Sequence, residues 1–238
     1  MKVIPQWPDI YQARLEALAR VEKLNAMLLA SQSATQTLNE WCATLCGSET
    51  HSTQTKREIK ARVIRGVNKP LSAAKRRRLE VGPDEPIAYR RVELMCGDQV
   101  LSEADNWYVA QRLSTEMNEA LTSTDIPFGR LIRPLDPRRV TIGAILLWNP
   151  LSPTAQPRND RPEASLPIPQ ALLKHDVILY RSNDKPISMV REVYKSELLG
   201  ARQTSPMNHA RNRQKEPEGA IGSWRTRRNE PDDVGIFG

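Results

Sequence analysis

Between residues 9 and 30 the apolar positions Ile10, Leu15, Leu18, Val21, Leu24 and Leu28 recur at helical spacing. The spacing predicts an amphipathic helix with Asp9 as its cap. A second helix is predicted after Ser33, with Leu38, Trp41, Cys42 and Leu45 on one face and Gly47 ending it. The period then shortens to two. Ile59, Ala61, Val63 and Val67 predict a strand with a basic wet face, and residues 68–80 read as a loop. Tyr89–Cys96 alternates clearly: Val92, Leu94 and Cys96 share one face, and Tyr89, Arg91, Glu93 and Met95 the other. A Gly97-Asp98 turn then predicts a partner strand over Val100–Val109.

Ser114 or Thr115 caps a short predicted helix ending near Leu121, and Thr124–Arg130 reads as a loop containing Pro127 and Gly129. Val140–Trp148 is apolar and β-branched, a pattern that fits a strand or a buried helix. Asn149–Pro169 carries six prolines and is predicted to be a surface insertion. Asp176–Arg181 and Ile187–Tyr194 flank Ser182-Asn183-Asp184-Lys185-Pro186, which predicts a hairpin. Beyond Leu199 the apolar residues are isolated, so residues 200–238 are expected to be a disordered polar tail. The whole is an α+β class chain: one domain over residues 1–199, helices first, then a mostly antiparallel sheet.

Composition changes this picture little; charge changes it more. The chain has 238 residues, an apolar fraction of 39% and a net charge of +7. Lys56–Arg78 holds ten basic residues and one acid, a local charge of +9, so the remainder carries −2. A nucleic-acid contact, if present, is expected through Lys75, Arg76, Arg77 and Arg78. No apolar run approaches the roughly 18 residues of a membrane span, and Met1–Ile10 lacks the apolar centre of a secretory signal. Three cysteines without framework spacing read as reduced thiols, with Cys42 and Cys46 as buried neighbours one helical turn apart. The expected compartment is the cytoplasm.

The chemistry is marked by what is missing. The three histidines, His51, His175 and His209, have no metal-ligand spacing, and there is no Cys-x-x-Cys. Nucleophile-elbow, P-loop and dinucleotide fingerprints are absent. Neither metal nor cofactor is expected. What remains is a constellation of three pieces. Arg91 lies within an apolar strand, facing either solvent or a ligand. Ile126–Arg130 is a turn whose amides suit an anion. Glu192 is either a buried carboxylate or the partner of an arginine such as Arg191 or Arg181.

Arg-Val-Glu-Leu-Met-Cys (91–96), Thr-Asp-Ile-Pro-Phe-Gly-Arg-Leu (124–131) and Lys-Pro-Ile-Ser-Met-Val-Arg-Glu (185–192), with Gln32-Ser33-Ala34-Thr35 before them, resemble the chorismate pyruvate-lyases in order and spacing. The resemblance covers roughly residues 21–195. It implies a sheet of about six antiparallel strands with helices on one side and an enclosed ligand cavity, a fold also used by the effector-binding (UTRA) domains of bacterial regulators. It implies a cofactor-free lyase of ubiquinone biosynthesis that splits chorismate, a dianionic substrate, into 4-hydroxybenzoate and pyruvate. Arg91 would grip a carboxylate, the Phe128-Gly129 backbone would bind substrate beside Thr35, and Glu192 would hold the ring hydroxyl. Two other readings stand beside it: a non-catalytic binder of aromatic carboxylates on the same fold, and a nucleic-acid binder. The Pro186-to-Glu192 interval is one residue longer than in the familiar lyases. That extra residue would turn Glu192 to the other face unless a bulge absorbs it.

Overall fold

In the computed structural model, residues 7–45, 58–151 and 160–202 are described, and all of them belong to one unit of the chain. Eight strands and five α-helices are built from them: β1 (Pro8–Asp9), α1 (Tyr11–Ala30), α2 (Ala34–Leu45), β2 (Lys60–Ile64), α3 (Ala73–Arg78), β3 (Ala88–Cys96), β4 (Gln99–Tyr108), α4 (Thr115–Ser123), α5 (Phe128–Leu131), β5 (Arg138–Leu146), β6 (Arg161–Ser165), β7 (Ala171–Tyr180) and β8 (Pro186–Lys195). Six strands form one antiparallel sheet in the order β2-β3-β4-β8-β7-β5. The α+β class and the predicted sheet are both present. Val140–Trp148, ambiguous by pattern, is mostly edge strand β5.

The sheet has two unlike faces, set by the period-two alternation. Arg90, Val92, Leu94 and Cys96 of β3 point to the same side as Ala104, Asn106 and Tyr108 of β4, and are buried there. Helices α1, α2, α4 and α5 cover this side. Helix α1 lays down Ala13, Ala17, Val21, Leu24 and Leu28 as its buried stripe, while Leu15, expected in that stripe, is 46% exposed. Small alanines let the helix approach closely at its first turns, where leucine would hold it off. Asp9 does not cap the helix. It is buried and forms an ion pair with Arg14 at 2.8 Å. Helix α2 buries Thr37, Leu38, Trp41 and Cys42.

Cys42 is paired with Cys96 of β3 in a disulfide, with Cα atoms 5.8 Å apart. This corrects the expectation of reduced thiols: Cys96 falls on the core face of β3 directly beneath α2. Disulfides persist chiefly in oxidising compartments, so the thiol count lends the cytoplasmic expectation no support. Cys46 and Gly47 lie outside the described residues. Among those residues no helix is long and apolar enough to cross a membrane.

The opposite side of the sheet is covered by a strap of chain over residues 69–87. Residues 68–80, read as a loop, include α3, capped by Ser72, whose hydroxyl accepts from Lys75 N. Leu79 packs with Ile178 and Met189. Much of the basic stretch is spent here. Lys69 meets Asp105 at 2.5 Å, and Lys75 Nζ sits 4.1 Å from the Trp107 ring centroid. Arg76 donates to the carbonyls of Gly82 and Glu85, which leaves Arg77 and Arg78 exposed.

The Pro-rich segment also differs from its expectation as a mere surface insertion. Its β6 pairs with β1 in a separate two-stranded sheet, Leu166 N donates to Trp7 O at 2.7 Å, and Leu166 is buried in the core. In the same cluster Trp41 Nε1 donates to Leu198 O and Trp7 Nε1 to Gly200 O. These bonds fasten the chain after β8 against α2 and β1. The tail after residue 202 lies outside the described residues.

Candidate functional site

On the helix-covered face a cavity of about 610 Å³ lies between two hydrophobic clusters. One cluster joins α1 and α2 to the sheet, and the other joins α4 and α5 to it. Register builds the floor row by row. One row runs Arg90–Asn106–Val190–Val177 across β3, β4, β8 and β7. The next runs Val92–Ala104–Glu192–His175. The first turn of α2, with Ser33, Ala34, Thr35 and Gln36, forms one wall, and Pro127, Phe128, Gly129 and Ile132 form another. Exposed Glu58, Arg130, Arg133 and Asp136 make a rim open to solvent.

Arg90 is the unusual member of the floor. It is 5% exposed, and among the described residues no carboxylate lies within ion-pairing distance of it. Its Nη1 donates to Ile126 O at 2.9 Å and its Nη2 to Thr124 O at 3.0 Å, which braces the loop leading into α5; its Nε–H has no partner. Burial pushes the guanidinium below its ordinary pKa, opposed only by charge on Tyr108 and Asp125. Beside it Asn106, 3% exposed, has neither its Oδ1 nor its Nδ2 hydrogen-bonded. Buried polar atoms are nearly always paired, which makes this cluster of unpaired atoms unusual.

The Glu192 end is different because its charges are paired. Arg139 Nη2 donates to Glu192 Oε2 at 2.7 Å, and the Tyr194 hydroxyl donates to the same oxygen at 2.8 Å. Arg139 Nη1 also donates to Leu28 O and Thr141 Oγ1, and its backbone N–H to Gln32 Oε1. The arginine thus ties β5 and β8 to the last turn of α1, where a cation suits the helix dipole. Burial disfavours its charge, but Glu192 and Tyr194 outweigh that and hold the guanidinium above its ordinary pKa. Burial pushes the Tyr194 phenol well up and the His175 imidazole down. His175 Nε2 meets Asn25 Oδ1 at 2.9 Å, and its Nδ1 has no partner.

Of the residues chosen from sequence, Thr35, Phe128, Gly129 and Glu192 all line the cavity. Phe128 and Gly129 do so from α5, a helical turn where a loop was expected. Glu192 keeps its place because β8 carries an extra residue: Leu179 pairs with Ser188 but Tyr180 with Pro186, so a bulge at Ile187 absorbs the longer interval. Arg91 is the correction. It faces away from the cavity, donating to Glu103 Oε2 at 2.9 Å with Asp105 at 3.8 Å. In a strand the adjacent residue takes the opposite face, so the arginine in the floor is Arg90. Its parity with Val92, Leu94 and Cys96 was visible in the sequence. Asn106 and Arg139 left no such local signal. Among the described residues no group of three or more His, Cys, Asp or Glu side chains is placed to hold a metal ion.

No family model matches the sequence. The chain is 43% identical over 203 residues to the uncharacterized protein y4mC of Sinorhizobium fredii (strain NBRC 101917 / NGR234), a match covering 82% of this chain and 81% of that one. The chain belongs to the y4mC family. Among solved structures, it is similar to the ligand-binding domain of a putative GntR-family transcriptional regulator from Bordetella bronchiseptica, with a TM-score of 0.40 and 19% identity over 63% of this chain and 90% of that one. It is similar also to PhnF from Mycobacterium smegmatis, with a TM-score of 0.47 and 13% identity over 74% of this chain and 69% of that one. Neither likeness bears on what occupies the cavity of this y4mC-family chain.

Proposed function

We propose that this protein binds a small organic carboxylate, aromatic in its body, without converting it. The observation that carries the reading is Arg90: a guanidinium buried in a cavity floor, with no carboxylate among the described residues within ion-pairing distance. Leaving a buried charge uncompensated is costly, and an incoming carboxylate relieves that cost. Val92, Ala104, Val177, Leu179, Val190 and Phe128 surround the space beyond it and suit an apolar ring.

Pyruvate elimination from chorismate draws on the same cavity, and one feature weighs against it. Chorismate brings two carboxylates. The second buried arginine, Arg139, is already neutralised by Glu192. The rim arginine Arg130 is paired with Glu58, and Arg133 is exposed. Among the described residues the deep site therefore offers one positive charge without a carboxylate partner, enough for a monoanion.

Calorimetric titration with 4-hydroxybenzoate tests the binding reading, and incubation with chorismate tests turnover. The expected result is saturable 4-hydroxybenzoate binding that Arg90→Met abolishes, with chorismate left intact. Binding unchanged by Arg90→Met would overturn the reading, and Arg90-dependent formation of 4-hydroxybenzoate from chorismate would replace it with the lyase.

A further inference from the structure

Arg90 and Asn106 occupy directly opposed positions on β3 and β4, so their side chains rise side by side from one face. Arg90 holds an unpaired Nε–H, and Asn106 an unpaired N–H₂ donor and an unpaired carbonyl acceptor, all three buried within the floor, so that a ligand reaches them by turning the two side chains towards the cavity. Turning the amide over exchanges its two ends but still leaves one donor and one acceptor at the cavity floor. A plain carboxylate can accept from both donors, yet it leaves the Asn106 acceptor bare. A primary amide satisfies all three but brings no charge; a group that satisfies them and also offsets the Arg90 charge is a carboxylate with a hydrogen-bond donor on the adjacent carbon.

That donor is a hydroxyl rather than an ammonium. A second cation beside Arg90 would need a buried carboxylate to offset it. Glu192 is occupied by Arg139 and Tyr194, and Glu58 and Asp136 lie at the exposed rim. Val190 and Val177 continue the Arg90–Asn106 row and offer no polar atom from their side chains.

We propose that Arg90 and Asn106 form a head-group subsite for a 2-hydroxycarboxylate. The carboxylate accepts from Arg90 Nε–H and the Asn106 amide N–H, and the 2-hydroxyl donates to Asn106 Oδ1. The proposal rests on the cavity being the carboxylate site described above. It adds that Asn106 sets the choice among carboxylates.

The test is calorimetric titration of the full chain with 3-phenyllactate, 3-phenylpropanoate and phenylalanine, which share a phenyl body and a carboxylate. The wild type is expected to bind 3-phenyllactate about tenfold or more tightly than 3-phenylpropanoate, because the latter leaves the buried acceptor unpaired. Asn106→Leu removes that preference, and Arg90→Met weakens both ligands. Should Asn106→Leu fail to fold, Asn106→Ser serves as the second variant, and the wild-type preference decides by itself. Equal wild-type affinity for the two acids, with both dependent on Arg90, overturns the Asn106 assignment and leaves the carboxylate site standing. Tighter binding of phenylalanine overturns the hydroxyl. Binding of none of the three, or binding indifferent to Arg90→Met, takes down the carboxylate site and this proposal together.

Discussion

Arg139 and Glu192 meet at 2.7 Å across β5 and β8, with side chains only 3% and 12% exposed. Breaking such a pair on one side leaves a buried charge, which costs about 3–5 kcal/mol, while replacing both partners by apolar groups costs far less. Glu192→Leu is therefore expected to destabilise the protein strongly, and Arg139→Met with Glu192→Leu to recover much of the loss. Urea unfolding of the three variants checks this; a double variant no more stable than Glu192→Leu would contradict it.

The two neighbouring arginines of β3 separate the sheet's faces experimentally. Arg91 pairs with Glu103 and Asp105 away from the cavity. Arg91→Gln is expected to leave 4-hydroxybenzoate affinity within about twofold and to cost at most about 1 kcal/mol, as partly exposed pairs do. Arg90→Gln is expected to weaken binding by more than tenfold, since a hydrogen bond to a charged group is worth about 1.5–3 kcal/mol. Titration of both variants reads the difference.

His175 makes stability depend on pH. It is fully buried, and its folded-state pKa is held below 6.5 chiefly by burial, with Glu192 opposing that shift and Arg139 adding to it. Below pH 6.5 the unfolded chain takes up a proton that the native ring refuses, so stability is present above that pH and is lost as pH falls towards the folded value. The loss is at most about 1.4 kcal/mol per pH unit. Asp105 and Glu103, whose carboxyls are, against the effect of burial, held low by Lys69 and Tyr89 and by Lys195 and Arg91, contribute a separate loss that begins only as the pH falls towards their ordinary values of 3.8 and 4.5. Thermal unfolding between pH 7.5 and 5 should show the decline in the wild type and a flatter profile in His175→Gln.

The Cys42–Cys96 bond spans 54 residues. Closing a loop of that length stabilises by up to about 4 kcal/mol on the chain-entropy account. A thiol reductant is expected to lower the wild-type melting temperature and to leave a Cys42→Ser, Cys96→Ser double variant unmoved. Equal responses would show that the bond contributes nothing.

Much of the architecture is legible along the chain. Period-two alternation in Tyr89–Cys96, the Gly97-Asp98 turn and the 182–186 turn give the strands and their antiparallel order, because pleating and turn chemistry are local. Ser114 caps α4 as its position suggests, its hydroxyl accepting from Met117 N. Local pattern falls short where partners come from afar. The stripe on α1 runs through alanines because the sheet beneath demands close approach, and α3 forms where the strap needs to present Leu79.

The candidate site shows the same division. The alternation within β3 already separates Arg90 from Arg91 and sets Arg90 with the apolar residues. It says nothing of which face a cavity adjoins, since that depends on helices both earlier and later in the sequence. Glu192 reaches the floor only through the bulge at Ile187, and it finds Arg139 53 residues away. Asn106 carries no mark of its own, and it matters because the register sets it opposite Arg90. Sequence alone therefore determined most strands of the large sheet, the alternation of their faces and the chemical types available. Tertiary structure decided which side chains share a cavity and which of their hydrogen bonds are left unmade, because pairing partners are supplied by register and packing between distant segments.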